Sequence, residues 1–329
     1  MSSSRPNILL ITSDQQHYGT LGVINDKLKT PALDRLCNEG VRFTRAYCPN
    51  PTCTPTRASI ITGMYPSQHG AWSLGTKLFE DVPVVGDRFQ EAGYYTALIG
   101  KAHFHPVKSL PGYESLEAPP TLQDLDFWRD FQGPWYGFEH IELTRNHGSE
   151  AWAGQHYGAW MEDNGFTNWR DYFESWPPDP EEKKRIRSQQ HWPLPEEYHY
   201  THWTGDRTIA RIKESTEQDK PFFIWSSFHD PHPPYLVPEP WASMYDPDDM
   251  DPGVLTEGEH EKNPVHFKMT QEENPAFRKM YFEDQGIHGF SSHLHDREKL
   301  KKDMAIYYGM ISFMDKEIGR ILEALDQQG

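Results

Sequence analysis

Four short stretches of the chain carry side chains that could do chemistry. The first is "CTPTRAS" (53–59), in which Cys53 precedes Pro55 and Arg57 at the start of a run, "RASIITG", that reads as a helix. Backbone N–H groups at a helix N-terminus favour negative charge. Arg57 adds a fixed positive charge one turn in, on the same side. Two readings of Cys53 stand side by side: a small core residue that lies near an arginine, or a nucleophile or the precursor of one. In the second reading the thiol has a lowered pKa and is reactive, and the same place holds an anionic group. The other three stretches are "SDQQ" with Asp14 and Gln15, "GKAHFH" with Lys101, His103 and His105, and "FHDPHPPY" with His229, Asp230 and His232.

Each of these three follows an apolar run that must position it. "NILLITSD" (7–14), "YYTALIGK" (94–101) and "PFFIWSSF" (221–228) are short, β-branched or aromatic, and bounded by turn residues, so they read as buried strands. Helical signals lie between them. "TPALDRLCNEG" has Thr30 as N-cap, Pro31 at the first helical position and Gly40 as a stop. "VVGDRFQEAG" ends the same way at Gly93, and "TGDRTIARIKE" runs up to the third strand. The alternation predicts an α/β fold: a mixed, mostly parallel sheet with helices on both faces. Ligands of such sheets bind outside the carboxyl ends of the strands. All three strands deliver acid, base or cation to that edge, as a catalytic pocket needs.

The last segment places Met304, Tyr307, Tyr308, Ile311, Met314, Ile318, Ile321, Leu322 and Leu325 at helical spacing on one face, with Gly329 at the stop position. The core is therefore expected at 5–104, 204–235 and 299–329. The stretches 105–203 and 236–298 are rich in Trp, Tyr, Pro, His and acid with weak periodicity. They read as long insertions over one edge, where specificity resides. The tryptophans between 128 and 203 either line a sugar or aryl pocket or pack the insertion. His288, His293 and His295 are irregularly spaced within an insertion and do not read as a metal cluster.

Composition narrows the function classes. Aromatic residues make up 13% of 329 residues while hydrophobic residues total 36%, which suits a globular core carrying polar insertions and not a disordered chain. A net charge of −17 argues against a nucleic-acid or anionic-membrane partner. The N-terminal apolar run has no basic leader and no cleavage site, and no run is long enough to cross a membrane, so a cytoplasmic protein is expected. Three cysteines, with no CxxC pair, suggest neither a disulfide framework nor a zinc site. Cys37 is expected in the core, Cys48 buried beside the site and not bonded to Cys53, and His105 and His229 in structural or pocket-lining roles.

These motifs together resemble a known family. "CTPTR" matches the Cys-x-Pro-x-Arg signature of the type I, formylglycine-dependent sulfatases of the alkaline-phosphatase-like superfamily. "RPNILLITSDQ" resembles the family's N-terminal strand, "GKAHF" its Gly-Lys-x-His element, and "PFFIWSSFHDPHPPY" its Pro-His-x-Pro element. "YYGMISFMDKEIGRIL" resembles the helix before the family's last metal site. The elements come in family order between residues 5 and 325, with 105–218 poorly matched.

The resemblance implies hydrolysis of a sulfate monoester of a small molecule or carbohydrate. Cys53 would be converted to formylglycine through transient contact with the formylglycine-generating enzyme, and the hydrate of that aldehyde would attack sulfur with the help of a divalent cation, usually calcium. By position, Asp14 would ligate the cation, with Gln15 and the modified Cys53 as further metal positions. Arg57 would hold the hydrate, Lys101 would bind hydrate or sulfate, and His103 would orient the hydrate. His232, on the Pro-His-x-Pro position, would contact sulfate or protonate the leaving oxygen. Gln15 stands where many members have a second Asp, and Thr56 replaces the commoner serine. Further cation ligands and a late lysine follow the last helix in the family. The resemblance therefore implies an N-terminal part of a longer protein, with a half-built cation cage and little or no turnover. Two other readings remain: a phosphonate monoester hydrolase or phosphodiesterase of the same superfamily, and a non-catalytic anion-binding fragment that keeps Cys53 as a thiol. Oligomeric state is not legible.

Overall fold

Residues 5–109, 114–144, 152–175, 179–187, 191–254, 256–269, 271–272 and 296–328 are described by a computed structural model of the chain. The three apolar runs form strands: β1 is Ile8–Thr12 and β2 is Tyr95–Gly100. A further strand, β3, spans His140–Leu143, and the third run gives β4 at Phe222–Ser227. The sheet order is β1-β4-β2-β3, and every pairing is parallel. Leu10 sits opposite Trp225, and Leu98 opposite Trp225 on the other side.

Alternation along the strands sends successive side chains to two separate cores. Ile8, Leu10, Leu98, Phe223 and Trp225 pack on one face, with Ala58 and Ile61 of the helix Cys53–Thr62 and Phe89 of the helix Val85–Glu91. Leu9, Ile11, Ala97, Ile99, Phe222 and Ile224 pack on the other. There they meet Ala32 of the helix Pro31–Glu39, Ile212 of the helix Tyr200–Glu217, and Met314, Ile318 and Ile321 of the long helix Arg297–Gln328. Helices thus cover both faces, as the sequence pattern predicts. Burying each large apolar side chain here stabilises by about 1.5–3 kcal/mol relative to exposure.

The long helix has 32 residues, a length of about 48 Å. Its polar side chains organise the chain between β1 and the first helix. Thr30 is the N-cap residue as expected, but its hydroxyl donates to Asp34 Oδ1 instead of capping. The first-turn N–H groups of Ala32 and Leu33, which no helix carbonyl can take, are accepted at 3.0 and 2.7 Å by the buried carboxylate of Asp315 on the long helix.

The region from 105 to 203 departs from the expected insertion in two ways. It supplies the edge strand β3, and the helix preceding β4 begins at Tyr200. It also builds a core of its own from Tyr157, Trp169, Phe173, Trp192, Tyr200 and Trp203. Trp128, Trp135, Trp152, Trp169, Trp192 and Trp203 are all buried, so these rings pack the region and do not line an open pocket. Cys37 is only partly buried on its helix, and Cys48 is exposed, not buried beside the site, because residues 41–49 run along the surface. Among the described residues, no helix is long and apolar enough to cross a membrane. His288, His293, His295 and Gly329 lie outside the described residues.

Candidate active site

The ends of β1, β2 and β4 meet the N-terminus of the helix Cys53–Thr62. Gly100, the last residue of β2, has φ of 100°, and a Cβ there would lie 2.0 Å from the carbonyl oxygen of Ser227. Only glycine permits that approach. It lets the Lys101 N–H continue the ladder to Ser227 O at 2.9 Å and delivers the lysine side chain inward. The loop after β4 is tied to the loop after β1 by the Asp14 N–H, which donates to the Asp230 carbonyl at 3.2 Å.

Cys53 is the first residue of its helix, with Thr52 as N-cap. Asn50 shapes the approach: its Oδ1 accepts from the Thr52 N–H at 2.8 Å, and its carbonyl accepts from the Thr56 hydroxyl. The hydroxyl retained at position 56 therefore fixes the turn that presents Cys53. Arg57 is 5% exposed. Its Nη1 donates to Lys101 O at 2.8 Å and to Ser227 Oγ at 2.7 Å, and its Nη2 donates to Asp14 Oδ2 at 3.1 Å. The guanidinium thus joins three elements behind the site.

In front of it lies a close cluster. Lys101 Nζ is 2.5 Å from Asp14 Oδ2 and 3.8 Å from Cys53 Sγ. The Cys53 thiol is 3.8 Å from Asp14 Oδ1. Ligand atoms of Asp14, Cys53 and His232 all lie within 4.8 Å of one another. The structure therefore brings together Asp14, Cys53, Arg57, Lys101 and His232. His103 is buried two residues beyond Lys101 with φ of 59°, its N–H bonded to Glu117 Oε1 at 2.7 Å. Gln15 is exposed, with φ of 61°.

The electrostatics correct one expectation. Burial pushes the Cys53 thiol up, and the Asp14 carboxylate adds to this; Lys101 and Arg57 oppose it but do not prevail. The thiol is therefore held protonated, not activated. Burial also raises the Asp14 carboxyl, but here Lys101 and then Arg57 outweigh it and hold it well below the usual carboxylate range. Burial, with Lys101 nearby, lowers His232 to about 4, so its imidazole is neutral at pH 7. Its Nδ1–H donates to the Pro233 carbonyl at 2.6 Å, which leaves the lone pair on Nε2.

These donors fit a cation site in part. Asp14 Oδ1 points toward Cys53 while Oδ2 is held by the two cations, so one anionic oxygen and one neutral imidazole face the Cys53 position. Calcium takes six to eight oxygen ligands, more than this cluster supplies. A second convergence, Glu196, His202 and Glu317, is already matched by Lys316 and Arg320 and forms an ion-pair network.

The remaining predicted residues are structural neighbours. His105 Nδ1 accepts from the Leu116 N–H, and its Nε2 donates to Tyr136 Oη at 3.1 Å. His229 is buried against the edge of the Tyr200 ring. Two residues escaped sequence reasoning, and a third, Asp230, was visible in the polar stretch after the third apolar run without its bonding. Ser227 links Arg57 to Lys101, and two adjacent serines ending an apolar strand were its signal. The Glu117 carboxylate accepts from the N–H groups of His103, Phe104 and His105. The buried carboxyl of Asp230 accepts from Tyr200 Oη at 2.9 Å and Thr201 Oγ1 at 2.6 Å. Nothing local in the sequence marked Glu117 or the partners of Asp230.

Comparison with known proteins identifies the family. The chain is 29% identical to an arylsulfatase of Clostridium perfringens over 336 residues, covering 99% of this chain. It is 27% identical over 334 residues to the multifunctional alkaline phosphatase superfamily protein PehA of Trinickia caryophylli, again covering 99% of the chain. Among solved structures, the phosphonate monoester hydrolase of Agrobacterium radiobacter superposes with a TM-score of 0.71 at 26% identity over 99% of the chain. The chain spans 60% of the length of each of these three proteins. The family model described as Sulfatase matches residues 6–329, and the chain belongs to the sulfatase family.

Proposed function

We propose that this chain carries the nucleophile side of a sulfuric ester hydrolase that works through a formylglycine made from Cys53 together with a divalent cation, calcium by family resemblance. The observation that supports this best is the convergence of Asp14, Lys101 and His232 on Cys53 at the head of the C-x-P-x-R helix. The raised pKa of the unmodified thiol suits a precursor better than a thiolate nucleophile. The modified residue supplies a hydrated aldehyde as nucleophile, and the cation supplies charge stabilisation at the transferred group.

The chain's own residues do the rest. Asp14 Oδ1 is the protein donor toward the cation, and His232 Nε2 stands toward the anionic ester. Lys101 Nζ stands beside the reacting side chain and neutralises the charge of a sulfate oxygen. Arg57 keeps Lys101 and Asp14 in place. His103 orients the modified side chain, and Gln15 offers an amide oxygen at the rim. An oxyanion next to His232 raises its pKa from about 4, so that the substrate itself recruits the proton later given to the leaving oxygen.

A second reading, phosphonate monoester hydrolysis, is favoured by the superposition on the Agrobacterium radiobacter enzyme and by Gln15 standing where a second acid is common. A third, an anion-binding role with Cys53 left as a thiol, needs only the Lys101 cation and the helix N-terminus. The test is hydrolysis of an aryl sulfate and an aryl phosphonate monoester by the whole natural protein co-expressed with a formylglycine-generating enzyme, with and without calcium. The proposal expects calcium-dependent sulfate ester cleavage that is absent in Cys53→Ala. Faster phosphonate turnover selects the second reading, and no turnover of either ester by fully converted protein selects the third.

A further inference from the structure

The loop that carries Asp14 is held by one hydroxyl from the far end of the chain. Tyr307 Oη donates to the Gln15 carbonyl at 2.9 Å and accepts from the His17 N–H at 2.7 Å. It thereby bridges the two peptide groups on either side of Gln16, directly after the bend at Asp14 and Gln15. The turn needs such a clamp, because Gln15 has φ of 61°, a conformation that residues with a Cβ adopt uncommonly. The ring of the same tyrosine meets Tyr235 edge-on, with centroids 6.0 Å apart. Tyr235 lies three residues beyond His232. One side chain of the long helix therefore touches both loops that supply the non-cysteine members of the cluster.

The neighbouring contacts of the helix show the same pattern but lead away from the site. Tyr308 Oη accepts from Asn25 Nδ2 at 3.0 Å, and Ser312 Oγ donates to the Lys29 carbonyl at 2.8 Å. They order the chain between β1 and the first helix, ten residues or more past Asp14. Tyr307 alone among these three bonds the turn that follows Asp14.

We infer that Tyr307 is a positioning residue for the candidate active site: its hydroxyl sets the Asp14–His17 turn, and its ring seats the loop bearing His232, so that the two donors face Cys53. This rests on the cation reading proposed above for its functional consequence, but its structural content is independent of that reading. Outer partners that orient ligand-bearing groups typically change metal affinity by about 10–100-fold when removed.

The test compares Tyr307→Phe with Tyr308→Phe, two losses of one hydroxyl from adjacent positions of one helix. Amide hydrogen exchange is followed at residues 14–18, and calcium affinity is measured by calorimetry on the whole chain. The expected result for Tyr307→Phe is about tenfold faster exchange at His17 and about tenfold weaker calcium binding, with both quantities within about twofold of the parent in Tyr308→Phe. Unchanged exchange at His17 in Tyr307→Phe overturns the inference, as does calcium binding weakened equally by the two variants. If the parent chain takes up no calcium, the exchange comparison by itself decides whether Tyr307 sets the turn.

Discussion

Arg57 and Lys101 are joined through the main chain: the arginine Nη1 donates to the lysine carbonyl at 2.8 Å, and Ser227 Oγ donates to the same oxygen at 2.6 Å. Two cations are thus held side by side around one carboxylate, Asp14, and the lysine ammonium is aimed at Cys53. The arginine acts as a buried bracket, and the lysine is the group left facing the reacting position.

Replacing that bracket has a defined consequence. Lysine at position 57 cannot donate to Lys101 O, Ser227 Oγ and Asp14 Oδ2 at once, since it lacks the planar fork. Arg57→Lys is expected to lose about 1–3 kcal/mol of stability in urea unfolding, and at least about tenfold of any ester hydrolysis. Full activity in this variant would show that the bracket does not set the position of Lys101.

Gly100 is the second point of fixed geometry. With φ of 100° and the Ser227 carbonyl 2.0 Å from a would-be Cβ, Gly100→Ala must displace the end of β2 or β4. A loss of about 3 kcal/mol or more is expected, read as a lowered denaturant midpoint. A midpoint within error of the parent would contradict the close strand approach.

Glu117 is a test of the His103 loop. Its carboxylate takes three main-chain N–H groups, and a glutamine offers a single accepting oxygen in the same space. Glu117→Gln is expected to cost about 1–3 kcal/mol and to speed amide exchange at residues 103–105. Exchange in this segment at the parent rate would remove Glu117 from the account.

A pH dependence follows from His202, which packs against the fully buried Glu317 of the long helix and against Asp206. Burial lowers its pKa, but Asp206 and Glu317 prevail and raise it to about 9. The folded value lies above the unfolded one of about 6.5. The stabilisation is therefore complete below pH 6.5 and is lost as pH rises through 9. The melting temperature of the parent is expected to fall between pH 7 and 9.5, while His202→Gln starts lower and changes less across the same window. Parallel curves for the two proteins would assign the alkaline loss to other groups.

The sequence disclosed the frame of this molecule because its strands are short apolar runs whose polar ends are adjacent in the chain. Asp14, Lys101 and His232 each lie within five residues of the end of such a strand, so their convergence could be read from topology alone. β3 was hidden because "HIEL" is brief and half polar: His140 and Glu142 carry an ion pair at the sheet edge. The raised pKa of the Cys53 thiol is not legible in the sequence for a physical reason. The helix N-terminus and Arg57 are local and visible, whereas burial and the Asp14 carboxylate, 39 residues away, are visible only in three dimensions. The exposure of Cys48 has no local signal, because it comes from the path of residues 41–49 along the surface. The clamp by Tyr307 joins positions 292 residues apart and has no local signal beyond a tyrosine on the apolar face of a helix.

The most direct measurement is the mass of the tryptic fragment 46–57, "AYCPNPTCTPTR", from protein made in its own host and alkylated before digestion. The fragment carries its own control, because the exposed Cys48 reports complete alkylation beside Cys53. The account predicts one alkylated cysteine and a mass at position 53 matching conversion of thiol to aldehyde. Two alkylated cysteines in every preparation would contradict the formylglycine mechanism and leave a sulfatase-family fold that holds anions without this chemistry.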